Sequence, residues 1–129
     1  MNGFKLVTQR EEIEQLSEEL KKYSYGMEYP FVFLKEGKVI VKGELAFMQD
    51  NSVEVKLMES IQKRKGNGRV FIEYLKSLAN VHEIYGEAVP EAVPFWHEMG
   101  AEFEPSVFEE YLATPVHEEG FLVPFQIAC

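Results

Sequence analysis

Apolar residues switch along this chain from helical spacing to strict alternation and back, which limits the available folds more than any single motif does. Ile13, Leu16, Leu20 and Tyr23 recur on one helical face, behind Thr8 and Glu11 at the spacing of a capping box. Val53, Val55 and Leu57 instead alternate with Glu54 and Lys56, as in a strand with one wetter face. From Gly68 the stripe Val70, Phe71, Tyr74, Leu75 and Leu78 returns to helical spacing and ends near Asn80. A chain that alternates in this way must pack helices against a sheet.

The remaining segments fill in that frame. Phe4 to Val7 is a short apolar start, and Gly26 and Pro30 end the first helix. Phe31 to Leu34 and Val39 to Phe47 are rich in strand formers, and the turn Lys35-Glu36-Gly37-Lys38 between them predicts a hairpin. A second turn, Gln49-Asp50-Asn51-Ser52, leads to the alternating strand at Val53. Val81 to Val89 reads as a further strand. Pro90 can then open a helix whose Ala92, Phe95, Trp96 and Met99 share a face and which Gly100 stops. Ala101 to Phe103, Phe108 to Leu112 and Phe121 to Ile127 are expected to be closing strands. The fold class is therefore α/β (α+β): a mixed, mostly antiparallel central sheet flanked by helices. The 129 residues carry no repeat or linker and are expected to form one domain.

Charge and cysteine usage narrow the function classes. The net charge of −9 argues against nucleic acid and anionic membrane as partners, and suits cationic or amine-bearing ones. No run approaches the ~20 apolar residues of a membrane span, and the charged helix that follows Asn2 and Gly3 does not read as a signal peptide. The only cysteine is the last residue, Cys129, so no internal disulfide can form. These features predict a soluble, cytoplasmic protein. His82, His97 and His117 have no metal-like spacing, so no metal is expected.

Against the acidic background, Gln62 to Arg69 reads Gln-Lys-Arg-Lys-Gly-Asn-Gly-Arg and holds four of the thirteen Lys and Arg residues. Gly66 and Gly68 fall between a predicted strand and a predicted helix. There, glycines let the backbone turn tightly and bring N–H groups toward a phosphate, and the helix adds the positive end of its dipole. The Walker spacing is absent, and Phe71 stands where the dinucleotide fingerprint needs its third glycine. Charge and glycine alone leave two readings open, an anion site or a solvated basic turn.

A strand followed by Lys63-Arg64-Lys65-Gly66-Asn67-Gly68 and an amphipathic helix resembles the acyl-coenzyme A motif of the GNAT acyltransferases, Gln/Arg-x-x-Gly-x-Gly/Ala. Lys63 takes the place of the usual Gln or Arg, with Gln62 one position away. Ala92-Val93-Pro94-Phe95-Trp96-His97-Glu98-Met99-Gly100-Ala101 is similar to the family's Ala-x-x-Phe-Tyr-x-x-x-Gly-Phe stretch. The resemblance is clearest from Val53 to Phe103. It implies that acetyl-CoA serves as acyl donor. The pantetheine arm would lie along Leu57, Met58 and Glu59, and the pyrophosphate at Lys63, Arg64, Lys65, Gly66, Asn67, Gly68 and Arg69. It also implies that the strand ending at Met58 parts from the strand beginning near Glu83. The acceptor would be a small-molecule or protein amine, and a homodimer is left open.

Two positions depart from the family. Trp96 stands where a Tyr often protonates the coenzyme A thiolate, and an indole cannot deliver a proton usefully near neutral pH. Val89 replaces an Asn. Either the acid is another group, Tyr85 or Tyr111 or water, or the domain binds a thioester without efficient transfer. The base expected by resemblance is a Glu on a central strand, Glu54 first and Glu87 second. Tyr23, Tyr25, Tyr29, Phe31 and Phe33 read either as core or as the lining of an acceptor pocket. The competing class is a noncatalytic module that binds coenzyme A or a protein partner.

Overall fold

The computed structural model describes residues 3–62 and 65–129. In chain order the elements are β1 (Phe4–Val7), α1 (Arg10–Glu14), α2 (Glu18–Tyr25), β2 (Pro30–Lys35), β3 (Lys38–Phe47), β4 (Ser52–Ser60), α3 (Asn67–Ser77), β5 (Glu83–Ala88), a single 3-10 turn at Pro90–Ala92, α4 (Val93–Glu98), β6 (Glu102–Phe103), α5 (Pro105–Ala113) and β7 (Val123–Ala128). The strands form one seven-stranded sheet in the order β1-β2-β3-β4-β5-β7-β6. The β4/β5 pair is parallel, as the crossover through α3 requires. The pairs β1/β2, β2/β3, β5/β7 and β6/β7 are antiparallel.

The chain gathers into two compact units. The first holds residues up to Ala46 together with Lys56–Leu78. Its β2–β3 hairpin turns on Glu36 and Gly37, both at positive φ (49° and 81°), as a two-residue hairpin turn demands. Phe31 and Phe33 leave one face of β2 and pack on Phe71 of α3, Phe31 stacked at 4.9 Å between ring centroids and Phe33 tilted at 5.1 Å. Val32 and Leu34 leave the other face and join Val7, Ile13 and Leu20 in a second apolar cluster. Phe31 and Phe33 are therefore core residues, and of the aromatic set considered for a pocket, Tyr25 and Tyr29 are exposed.

The first helix differs from its sequence reading. Thr8 does not cap it; Gln9 occupies the N-cap position and makes no side-chain bond. The single stripe is broken into α1 and α2 because the Ser17 hydroxyl accepts from Leu20 N at 3.1 Å, which restarts the helix locally. Leu16 is left exposed at the break. The Arg10 guanidinium then ties the pair, donating to the carbonyls of Ser24 and Met27 at the end of α2, where a cation suits the dipole.

The second unit holds Phe47–Val55 and Ala79–Cys129. Its core is Val53, Val55, Ile84, Ala88, Val93, Trp96, Met99, Val123, Phe125 and Ile127. Trp96 stacks on Phe125 at 4.1 Å. Phe108 to Leu112, expected as a strand, lies within α5. The Glu104 carboxylate caps this helix by accepting from Val107 N at 2.8 Å, and Pro105 fills its first turn. Bonds from Ser106 Oγ and Val107 N hold that carboxyl below its ordinary pKa.

Candidate functional site

In the first unit, Ile61 links β3 to the start of α3 through two hydrogen bonds. Ile61 N donates to Ile40 O at 2.8 Å, and Asn67 Nδ2 donates to Ile61 O at 2.8 Å. Gly66 sits at the N-cap of α3 with φ 73°, a left-handed conformation that a side chain would strain. The first helical bond runs from Val70 N to Gly66 O. The N–H groups of Asn67, Gly68 and Arg69 thus lie in the turn where an α-helix provides no carbonyl acceptor of its own. Lys65 and Arg69 are exposed and Gly68 is buried. Lys63 and Arg64 lie outside the described residues.

Upstream of this turn, β4 changes character midway. Its parallel ladder with β5 runs from Ser52↔Glu83 to Val55↔Gly86. The strand itself continues to Ser60. Val53 and Val55 are buried, whereas Leu57 is 41% exposed and Glu59 is also exposed. The last rung is a close one: a Cβ on Gly86 would stand 2.7 Å from Val55 O and 3.1 Å from the Phe125 ring. Glycine is needed there for lack of room.

Within the second unit, pairing register assembles a polar row. Glu54 is the ladder partner of Tyr85, Tyr85 of Gln126, and Gln126 of Glu102. Ladder partners point to the same face of a sheet, so these four side chains share a face, and Glu83 and Glu87 flank Tyr85 on it. The opposite face carries the buried residues Val53, Val55, Ile84, Gly86, Phe125 and Ile127. Glu54 and Tyr85 are both partly buried, so two of the three catalytic candidates are brought side by side. Gln126 and Glu102 were not singled out from the sequence. Alternation places Gln126 between Phe125 and Ile127, but only the register aligns it with Tyr85.

Tyr111 belongs elsewhere, on α5, where its ring lies between Phe108 (5.8 Å) and His117 (5.1 Å). Trp96 is a core side chain, 5% exposed. Val89 is exposed at the end of β5. In the first unit, the Tyr23 hydroxyl is buried with no hydrogen-bond partner among the described residues, and Lys42 Nζ stands 4.4 Å above its ring. Burial first, then the charges of Glu59 and Glu44, push its pKa up to about 12. Among the described residues no group of His, Cys, Asp and Glu is arranged to hold a metal, and no helix is long and apolar enough to cross a membrane.

No protein-family model matches the sequence, and no curated protein sequence does either. Solved structures do match in fold. A GNAT family acetyltransferase from Elizabethkingia anophelis with acetyl-CoA bound superposes with a TM-score of 0.56 at 10% identity, covering 100% of each chain. A Bacillus subtilis acetyltransferase in complex with CoA gives 0.56 at 13%, covering 98% of this chain and 97% of that one. A spermidine N-acetyltransferase variant from Vibrio cholerae gives 0.58 at 18%, covering 99% and 95%. The chain therefore has the fold of the GNAT acetyltransferases.

Proposed function

We propose that the chain is an acetyl-CoA-dependent N-acetyltransferase of the cytoplasm that transfers acetyl directly to an amine. The observation that carries this reading is the change in β4: its ladder with β5 stops at Val55, and the mostly exposed remainder precedes, in sequence, the glycines that open α3. A strand edge followed by a helix N-terminus suits a long polar arm ending in a pyrophosphate. Solved neighbours of the same fold with CoA or acetyl-CoA bound support it.

In this reading Leu57, Met58 and Glu59 line the pantetheine arm. The backbone of Lys65, Gly66, Asn67, Gly68 and Arg69, with Lys63 and Arg64, holds the pyrophosphate. Acetyl-CoA would supply the acetyl group as a thioester: the amine nitrogen bonds to the carbonyl carbon, the carbon–sulfur bond breaks, the sulfur leaves as a thiolate, and the nitrogen gives up its remaining extra proton to become a neutral amide. An ammonium has no lone pair, so the chain must first take a proton from the acceptor. Glu54 takes it, directly or through water, and Glu87 is the second choice on the same face. Tyr85, the ladder partner of Glu54, is the first choice of hydroxyl to protonate the thiolate, and Tyr111 on α5 is the second.

Calorimetry with coenzyme A and turnover against a panel of amines test the reading together. Glu54→Gln should lower the rate at neutral pH by roughly a hundredfold or more, with coenzyme A affinity unchanged and part of the rate returning as rising pH deprotonates the amine. The burial of Trp96 at the family's Tyr position favours one alternative, a module that binds coenzyme A without transferring from it. Binding without turnover of any amine would establish that alternative.

A further inference from the structure

Within the second unit, the residues after β5 and the loop between α5 and β7 line an open hollow of about 410 Å³, a size that fits a small ligand. Its lining includes the exposed apolar residues Val89, Val116 and Leu122. The same two segments carry Glu91, Glu118 and Glu119, all exposed, and no Lys or Arg is among the lining residues. An adjoining hollow shares this loop and adds Glu110.

The loop is held by ring stacking as well as by its backbone. His117 lies between Tyr111 at 5.1 Å and Phe121 at 4.9 Å, and the stack continues through Phe108 to Phe103. His117 Nε2 lies 3.0 Å from Tyr111 O; a carbonyl only accepts, so Nε2 carries the hydrogen. A preformed wall of this kind lowers the ordering cost of binding.

We propose that this pocket takes a primary ammonium bearing a small apolar group, with the apolar part on Val89, Val116 and Leu122 and the charge among Glu91, Glu118 and Glu119. The reason for holding an amine rests on the acetyl-transfer reading, since such a molecule would be the acceptor; the location rests on the lining alone. An anion would meet only like charge there. A ligand charged along its whole length would leave Val89, Val116 and Leu122 without an apolar partner.

Calorimetry on the full chain with 2-phenylethylamine, its uncharged counterpart 2-phenylethanol and, separately, coenzyme A tests this. The amine should bind about tenfold tighter than the alcohol, the ratio that ~1.4 kcal/mol of charge pairing gives. The double substitution Glu118→Gln with Glu119→Gln should remove most of that difference and leave coenzyme A affinity unchanged. Equal binding of amine and alcohol, or amine binding that the double variant does not weaken, overturns the pocket assignment. Coenzyme A binding with no amine binding overturns it too and leaves the acetyl-transfer reading standing. Amine binding with no coenzyme A binding supports the pocket and rejects that reading.

Discussion

Two strand-to-helix corners in this molecule make the same topological step with opposite materials. The corner from β4 to α3 is glycine-rich and basic, begins its helix on a left-handed Gly66 and provides backbone N–H donors. The corner from β5 to α4 runs through Val89-Pro90-Glu91-Ala92-Val93-Pro94, where two prolines remove donors and a glutamate supplies negative charge. The first passes through a buried Gly68, whereas the second leads directly to Trp96 packed on Phe125. A helix N-terminus is thus no anion site by position alone: its residues decide whether it presents donors or anchors a core.

Substitutions at the two corners should differ in kind as well as in size. The largest effect belongs to the second: Trp96→Ala, which removes a side chain 5% exposed, should lower the free energy of unfolding by ~3–5 kcal/mol in a denaturant titration. A loss below ~1 kcal/mol would show that this corner does not anchor the core. At the first corner, Gly66→Ala should cost ~1 kcal/mol. A Cβ there meets nothing within 4 Å, so that cost is purely backbone strain, and Gly66→Asn should recover part of it. Coenzyme A affinity should fall with the alanine variant, and an unchanged affinity would break the assignment of this turn. The smallest effect is expected for Pro90→Ala, within ~0.5 kcal/mol and with no change in coenzyme A binding, because the position contributes a preset φ and little else.

Local chemistry made much of this legible. The β2–β3 hairpin followed from Glu36-Gly37, the α3 stripe from its spacing, and the glycine turn from the reversal of charge around it. What escaped depended on partners distant in the chain. The five residues Phe108 to Leu112, three of them apolar, are too few to separate strand from helix by composition. Glu104 and Pro105, a cap and an N-terminal proline, were the available signal for helix. Thr8 and Glu11 had capping-box spacing, yet the helix begins at Arg10, and Ser17 proved to be the residue with a capping bond. The row Glu54, Tyr85, Gln126 and Glu102 spans four strands, and no local pattern encodes their register. The pocket between Val89 and Leu122 was likewise invisible, because its two walls lie far apart in sequence.

The stacking of Trp96 on Phe125 has a spectroscopic consequence. It is the only tryptophan in the chain, it is buried, and its ring partners Phe95 and Phe125 belong to the second unit. Its emission should be blue-shifted in the native protein and should move to the red only when that unit opens. Melting confined to α1, α2 and the hairpin would leave the tryptophan signal flat while circular dichroism fell. The chain thus carries an intrinsic probe of whether its two units lose structure together or in turn.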